Sequence, residues 1–204
     1  MSDKSIYLAS RSPRRRELLR QIGVSFEIVP LREAPRHPAD VDETPRTGET
    51  ADAYVLRVAR EKAQAAVAIT SVRRLALRPV LAADTTVVRD DAILGKPANA
   101  AAAATMLASL AGRGHRVLTA VAVTSGNEIE TRVSESQVWF RALTPEEIRR
   151  YVATGESTDK AGGYAVQGRA AAFITRIEGS YSGIMGLPLA ETAELLRSHG
   201  ICLP

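Results

Sequence analysis

The run Val80-Leu81-Ala82-Ala83-Asp84-Thr85-Thr86-Val87-Val88 carries a single charge, at its centre, among residues that are otherwise apolar or hydroxylic. Pro79 introduces it and Asp90-Asp91 follows it, so residues 80–88 read as a buried strand, with a turn leading into Ile93-Leu94. Strand interiors disfavour Asp, and a carboxylate taken out of water is costly unless it is paired or bound to a metal. Two readings of Asp84 follow. It is the polar end of a capped strand, or it is a carboxylate presented at a sheet edge as metal ligand or general base.

The rest of the chain alternates strands and helices around that run. Residues 6–9 read as a short strand and residues 13–22 as a helix, with Ser12 as N-cap, Pro13 in the first turn and Gly23 at the end. Residues 26–29 form a second strand, and residues 30–51 are an aperiodic loop. Residues 53–70 form a long helix, with Val55, Val58, Ala59, Ala63 and Ala66 at helical spacing. Asn99 caps an alanine-rich helix bearing Met106, Leu107 and Leu110, closed by Gly112. Residues 117–124 and 128–141 flank the hairpin signal Ser125-Gly126-Asn127. Thr144-Pro145-Glu146-Glu147 is a capping box opening a helix that Gly155 ends. Glycine-rich residues 161–168, a strand over residues 171–177 and a helix over residues 189–198 complete the order. The expected class is α/β around a mixed sheet. No repeat and no linker divides the chain, so residues 1–204 are read as one ordinary domain, or two lobes sharing one chain.

Composition excludes several classes. At 204 residues, 45% hydrophobic and 25% charged, the chain is neither disordered nor collagen-like. It has no apolar stretch long enough for a membrane helix, and residues 1–10 lack the layout of a signal peptide. Cys202, the one cysteine, allows neither an internal disulfide nor a cysteine zinc site. A cytoplasmic protein with no membrane partner is expected. The net charge of +4 invites a nucleic-acid reading. However, the arginines are scattered, only Arg14-Arg15-Arg16 cluster, and aromatics for base stacking make up just 4%. No nucleic-acid partner is expected either.

Three further stretches carry chemistry. In Ser10-Arg11-Ser12-Pro13-Arg14-Arg15 a strand delivers the chain to a helix N-terminus that bears cations where the macrodipole favours anions. Either this is a basic surface turn, or a phosphate resolves the conflict. Lys62 falls on the apolar stripe of the long helix, four residues after Val58 and four before Ala66. It snorkels outward, or it puts a point charge into a cleft. Lys96, in Leu94-Gly95-Lys96-Pro97, is by itself a turn lysine. His37, His115 and His199 have no metal-site spacing. Nucleophile-elbow, Walker A and dinucleotide fingerprints are absent from the sequence.

Taken together, these stretches resemble the Maf family of nucleoside triphosphate pyrophosphatases. The resemblance rests on residues 8–15, Asp42-Glu43-Thr44, residues 54–63, Ala83-Asp84-Thr85 and Leu94-Gly95-Lys96-Pro97. It continues through residues 110–115, residues 159–168, Gly179-Ser180-Tyr181 and residues 186–192, all in family order. It implies a long mixed β-sheet with flanking helices in two lobes around a central cleft, as in the inosine-triphosphate-pyrophosphatase-like fold. It also implies hydrolysis of a nucleoside triphosphate to monophosphate and pyrophosphate with a divalent cation (Mg²⁺, Mn²⁺ or Co²⁺). By the family pattern Asp84 is the proton acceptor, and Ser10, Arg14, Arg15, Lys62 and Lys96 hold phosphates. Glu43, with Asp84, places metal or water. A homodimer is compatible with the resemblance.

The family's specificity positions correspond to Arg14, Thr85 and Gln167, the pattern of the branch that prefers dTTP and UTP. A neutral amide at 167 suits the O4 and N3–H edge of uracil and thymine, whereas glutamate suits a cationic methylated guanine. The alternatives are a 7-methyl-GTP pyrophosphatase of the sister branch and a non-catalytic nucleotide-binding regulator of septum formation. The resemblance also carries removal of modified pyrimidine nucleotides and an association with division arrest. Residues 31–40 look like added length before the acidic pair. Glu43 is preferred to Glu33 as the family glutamate because its separation from Lys62 matches the family pattern.

Overall fold

The computed structural model describes residues 5–32, 39–126 and 128–203. Glu33, His37 and Asn127 lie outside the described residues. The elements run β1 (Ile6–Leu8), α1 (Pro13–Gln21), β2 (Phe26–Ile28), α2 (Ala51–Val72), β3 (Val80–Arg89), β4 (Ala92–Leu94), α3 (Ala100–Leu110), β5 (Gly114–Thr124), β6 (Ile129–Phe140), α4 (Pro145–Ala153), β7 (Ile174–Glu178), α5 (Tyr181–Met185) and α6 (Leu189–Ser198). The seven strands of the described residues join one mixed sheet, in the order β2-β1-β3-β5-β6-β7, with β4 also on β3.

β3 is the spine. One edge pairs antiparallel with β5 from Val80 to Val88. The other edge is shared: β1 pairs in parallel at Val80 and Leu81, and β4 pairs antiparallel at residues 87–89. Among the described residues no strand occupies that edge between Leu81 and Val87. Asp84 sits in the middle of this gap. The turn into β4 uses Asp90 and Asp91, both at positive φ (47° and 64°), as tight hairpin turns require.

The two faces of β3 lead to different places because side chains alternate along a strand. Val80, Ala82 and Val88 pack under α2, against Val55, Val58, Ala59, Ala63 and Ala66. Alanines on both surfaces let helix and sheet approach closely. On the opposite face Leu81 and Ala83 pack with Leu18, Leu19, Leu195 and Leu196 of α1 and α6. Val87, farther along that face, joins Leu107, Leu110, Phe140, Tyr151 and Tyr164. Ser12 and Asn99 cap as the sequence indicates, each accepting from the third residue onward, and Thr144 with Glu147 closes the capping box; Thr50, placed in the loop by sequence, caps α2 in the same way.

One expectation is corrected and one element was missed. The strand placed over residues 171–177 begins only at Ile174, and residues 169–173 form a 3₁₀ helix. Glu156 imposes that turn, since its carboxylate accepts from the amides of Arg169 and Ala170. The short helix α5 was not anticipated. Five residues carry no period, and its signal is punctuation: Ser180 caps the start and Gly186, at φ 115°, ends it. No described helix is long and apolar enough to cross a membrane.

Candidate active site

A cleft of about 880 Å³ opens over the gap in the β3 edge. Its lining includes Ser10, Arg14, Arg15, Glu43, Lys62, Asp84, Thr85 and Lys96, drawn from five separate parts of the chain. Ser10 lies between the end of β1 and α1, so the cleft meets the N-terminus of α1, where unpaired amides and the helix dipole favour an anion.

Lys62 is the hub. Its side chain is 12% exposed, and its Nζ donates to Asp84 Oδ1 at 2.7 Å and lies 2.9 Å from Glu43 Oε1. The position on the apolar stripe is therefore resolved inward, toward the one face of β3 that holds a carboxylate. Burial by itself would raise the Glu43 pKa, but the charge and hydrogen bond of Lys62, with the charges of Lys96 and Arg15, hold it below the ordinary range. Glu43 is ionised at neutral pH.

The loop bearing Glu43 is held from α2. Tyr54 Oη donates to the carbonyl of Glu43 at 2.9 Å. Arg57 donates from Nη1 to the Asp42 carbonyl and from Nη2 to the Thr44 carbonyl, each at 3.0 Å. Its Nε and Nη2 also grip both carboxylate oxygens of Glu49 at 2.7 and 2.9 Å. That clamp brackets Glu43 on both sides, and the Arg57 pair drives the Glu49 pKa down to about 2.

The two arginines of α1 divide. Arg15 turns inward and donates to the Gly186 carbonyl (2.8 Å), Ser10 Oγ (3.3 Å) and Thr85 Oγ1 (3.3 Å). Burial lowers its pKa against the pull of Asp84. Arg14 lines both the cleft and a recess of about 50 Å³ beside it. That recess brings together Arg14, Thr85 and Gln167, with Tyr164 and Val166 in its wall.

Lys160 was missed by sequence reasoning. It lines cleft and recess, and its Nζ donates to Asp159 Oδ1 at 2.9 Å. Its neighbour Gly162 fixes the turn: it has φ 67°, donates to the Gly95 carbonyl at 3.1 Å, and a Cβ there would come within 2.9 Å of Val87. The glycines of residues 161–168 were the available signal. His115 and His199 take no part in the cleft, and among the described residues no three His, Cys, Asp or Glu side chains gather as a metal site.

The chemistry of the donor set nonetheless fits a divalent cation. Mg²⁺ is commonly held by one or two carboxylates plus substrate phosphates, not by an all-protein cage. Asp84 and Glu43 supply such a pair, and Thr86 Oγ1, two residues along the same face, is buried with no partner. With Arg14, Arg15, Lys62, Lys96 and Lys160 around it, the cleft can take up a highly charged polyanion and hold a carboxylate beside it.

A family model described as Maf-like protein matches residues 5–199. Among relatives, a dTTP/UTP pyrophosphatase of Aromatoleum aromaticum is 58% identical over 196 residues, 96% of this chain and 95% of its own. Proteins with the same description from Nitrosomonas europaea (53% identical, 96% and 95% covered) and Chromobacterium violaceum (49% identical, 100% and 98% covered) are similar over the same extent.

Proposed function

The chain belongs to the Maf-like protein family, and we propose that it is a pyrophosphatase that hydrolyses dTTP and UTP to the monophosphate and pyrophosphate. The observation that carries this reading is the recess. Arg14, Thr85 and Gln167, far apart in sequence, line one small pocket that opens off the cleft containing Asp84. The relatives that cover nearly the whole chain bear the same activity in their names. They do not favour the methylguanine or the purely regulatory reading.

In this reading the base enters the recess and the triphosphate lies along the cleft. Arg14, Lys62 and Lys96, with Ser10 and the amides at the start of α1, hold the phosphates and neutralise the charge that builds up as the α–β anhydride breaks. Arg15, already bound to Ser10 and Thr85, ties the phosphate end of the site to the base end. Lys62 holds Asp84 by Oδ1, and Asp84 accepts the proton of the attacking water. Glu43 and Asp84 would hold the divalent cation, which when bound supplies charge neutralisation and lowers the pKa of water. The same reading takes residues 1–204 as one two-lobed unit acting in the cytoplasm on free nucleotides, with neither nucleic acid nor membrane as partner.

The test is a product assay on the purified protein with dTTP, UTP, CTP and 7-methyl-GTP, with divalent cation and with chelator. Monophosphate and pyrophosphate from dTTP and UTP are expected. Release of orthophosphate and a nucleoside diphosphate, or preference for 7-methyl-GTP, would overturn the assignment. Tight nucleotide binding without turnover would replace it with a regulatory role.

A further inference from the structure

Thr85 and Thr119 face each other directly across the β3–β5 ladder, with their Oγ1 atoms 3.0 Å apart. Taken alone, either hydroxyl can be the donor. Their other partners settle the direction. Thr119 Oγ1 lies 2.8 Å from the Gly183 carbonyl, which can only accept. Thr119 is 1% exposed, so water cannot stand in for a missing partner. Its single proton sits on that contact, because two buried oxygens at 2.8 Å with no proton between them would leave lone pair against lone pair. Thr119 therefore has only lone pairs to offer Thr85, and Thr85 must donate.

The other end of the chain agrees. Arg15 Nη2, which can only donate, lies 3.3 Å from Thr85 Oγ1. The direction is fixed from both termini: Arg15 to Thr85, Thr85 to Thr119, Thr119 to the Gly183 carbonyl. Thr85 has spent its proton and one of its lone pairs. What it can still present to the recess is a lone pair.

We propose that Thr119 is a specificity-determining positioning residue that, by accepting the Thr85 hydroxyl's hydrogen bond, makes Thr85 an acceptor-only contact in the base recess. With Gln167 donating to the position-4 carbonyl and Thr85 facing N3 of the ring, that polarity selects a pyrimidine that carries N3–H, as uracil and thymine do, over cytosine, whose N3 is itself an acceptor. Thr119 lines neither the cleft nor the recess, so it acts only through Thr85. A hydroxyl free to rotate would serve both rings, whereas one locked by its neighbours rejects the wrong edge, because a desolvated acceptor facing another acceptor has nothing to pair with. The inference rests on the pyrimidine-nucleotide reading above and names the device that separates uracil and thymine from cytosine within it.

The experiment compares kcat/KM for UTP and CTP in the wild-type protein, Thr119→Val and Thr119→Ser. Thr119→Val keeps the branched shape and removes the acceptor, and it is expected to raise the CTP-to-UTP ratio by at least about tenfold. Thr119→Ser keeps the hydroxyl and is expected to keep the ratio. An unchanged ratio in Thr119→Val, with both substrates slowed alike, would make Thr119 merely structural and overturn the proposal. A second measurement needs no variant: N3-methyl-UTP removes the N3–H donor and keeps both ring carbonyls. The wild-type protein is expected to turn it over at least about tenfold more slowly than UTP, and equal turnover would also overturn the proposal. Failure of the wild-type protein to hydrolyse UTP and dTTP would sink the functional reading itself. Efficient, equal hydrolysis of UTP and CTP would sink this inference alone.

Discussion

The ammonium of Lys62 lies 2.7 Å from Asp84 Oδ1 and so ties the middle of α2 to the centre of β3. Their side chains are 12% and 8% exposed. A carboxylate at that depth would be costly alone. The lysine offsets the cost with its opposite charge, which is the condition the proposed base needs. Because Lys62 also reaches Glu43, the pair is a triad in which either carboxylate keeps a partner if the other is neutralised.

That redundancy makes Asp84→Asn a clean test of catalysis. The amide keeps the shape, and Lys62 retains Glu43. Turnover of UTP is expected to fall on the order of 10²–10⁴-fold, the range for a lost general base, with an unchanged circular-dichroism spectrum. Near wild-type turnover would remove Asp84 from its role.

Lys62 and Lys96 should separate. Lys96 is exposed at the cleft, so Lys96→Ala is expected to change stability by less than about 0.5 kcal/mol while raising KM for UTP. Lys62→Met strips the shared partner from two carboxylates and is expected to cost about 3 kcal/mol as well as activity. Urea midpoints and steady-state kinetics on both variants check this. Equal stability losses would contradict the hub arrangement.

Gln167 is exposed at the rim of the recess that Arg14 and Thr85 share. Gln167→Glu replaces a donor-and-acceptor amide by acceptors only. The ratio of kcat/KM for UTP over 7-methyl-GTP is expected to fall at least about tenfold. An unchanged ratio would show that position 167 does not contact the base.

His115 gives a pH signature unrelated to catalysis. It is 3% exposed, its Nε2 lies 2.7 Å from Tyr164 Oη, and its Nδ1 has no partner. Burial pushes its pKa down to about 4. The unfolded chain therefore binds this proton first, and stability falls as pH drops from about 6.5 toward 4, by about 3 kcal/mol in all. His115→Phe should lack that component. The check is the gap between wild-type and variant urea midpoints at pH 7 and at pH 4.5. A gap that does not change with pH would contradict a neutral buried histidine.

Much of this architecture was legible because its signals are local. Ser12, Asn99 and Thr144 stand where caps must stand, and Asp84 declared itself by interrupting an apolar run. What escaped depends on chain segments meeting from afar. Arg57 looks like any charge on a helix surface until the loop over residues 42–49 folds back onto it. The inward turn of Lys62 depends on which face of β3 the helix covers, and helical spacing alone is silent on that. Thr119 was readable by the same logic as Asp84, a polar group inside the apolar run 117–124, but a lone hydroxyl is a fainter mark than a charge. The 3₁₀ helix over residues 169–173 was misread because Ala171-Ala172-Phe173 is apolar enough for a strand, and Glu156, thirteen residues before Arg169, decides otherwise.

The gap in the β3 edge between Leu81 and Val87 has a consequence for how the molecule coexists with its neighbours in solution. A bare strand edge is ordinarily an invitation to foreign chains, which can extend the sheet and seed aggregation. Here the bare stretch lies at the bottom of a cleft whose walls carry Arg14, Lys62, Lys96 and Lys160. A second polypeptide strand would have to enter past those charges and strip them of water without neutralising them. A compact polyanion meets no such penalty. The walls thus act as a filter on what can reach that stretch of edge, which a strand from another chain could otherwise extend.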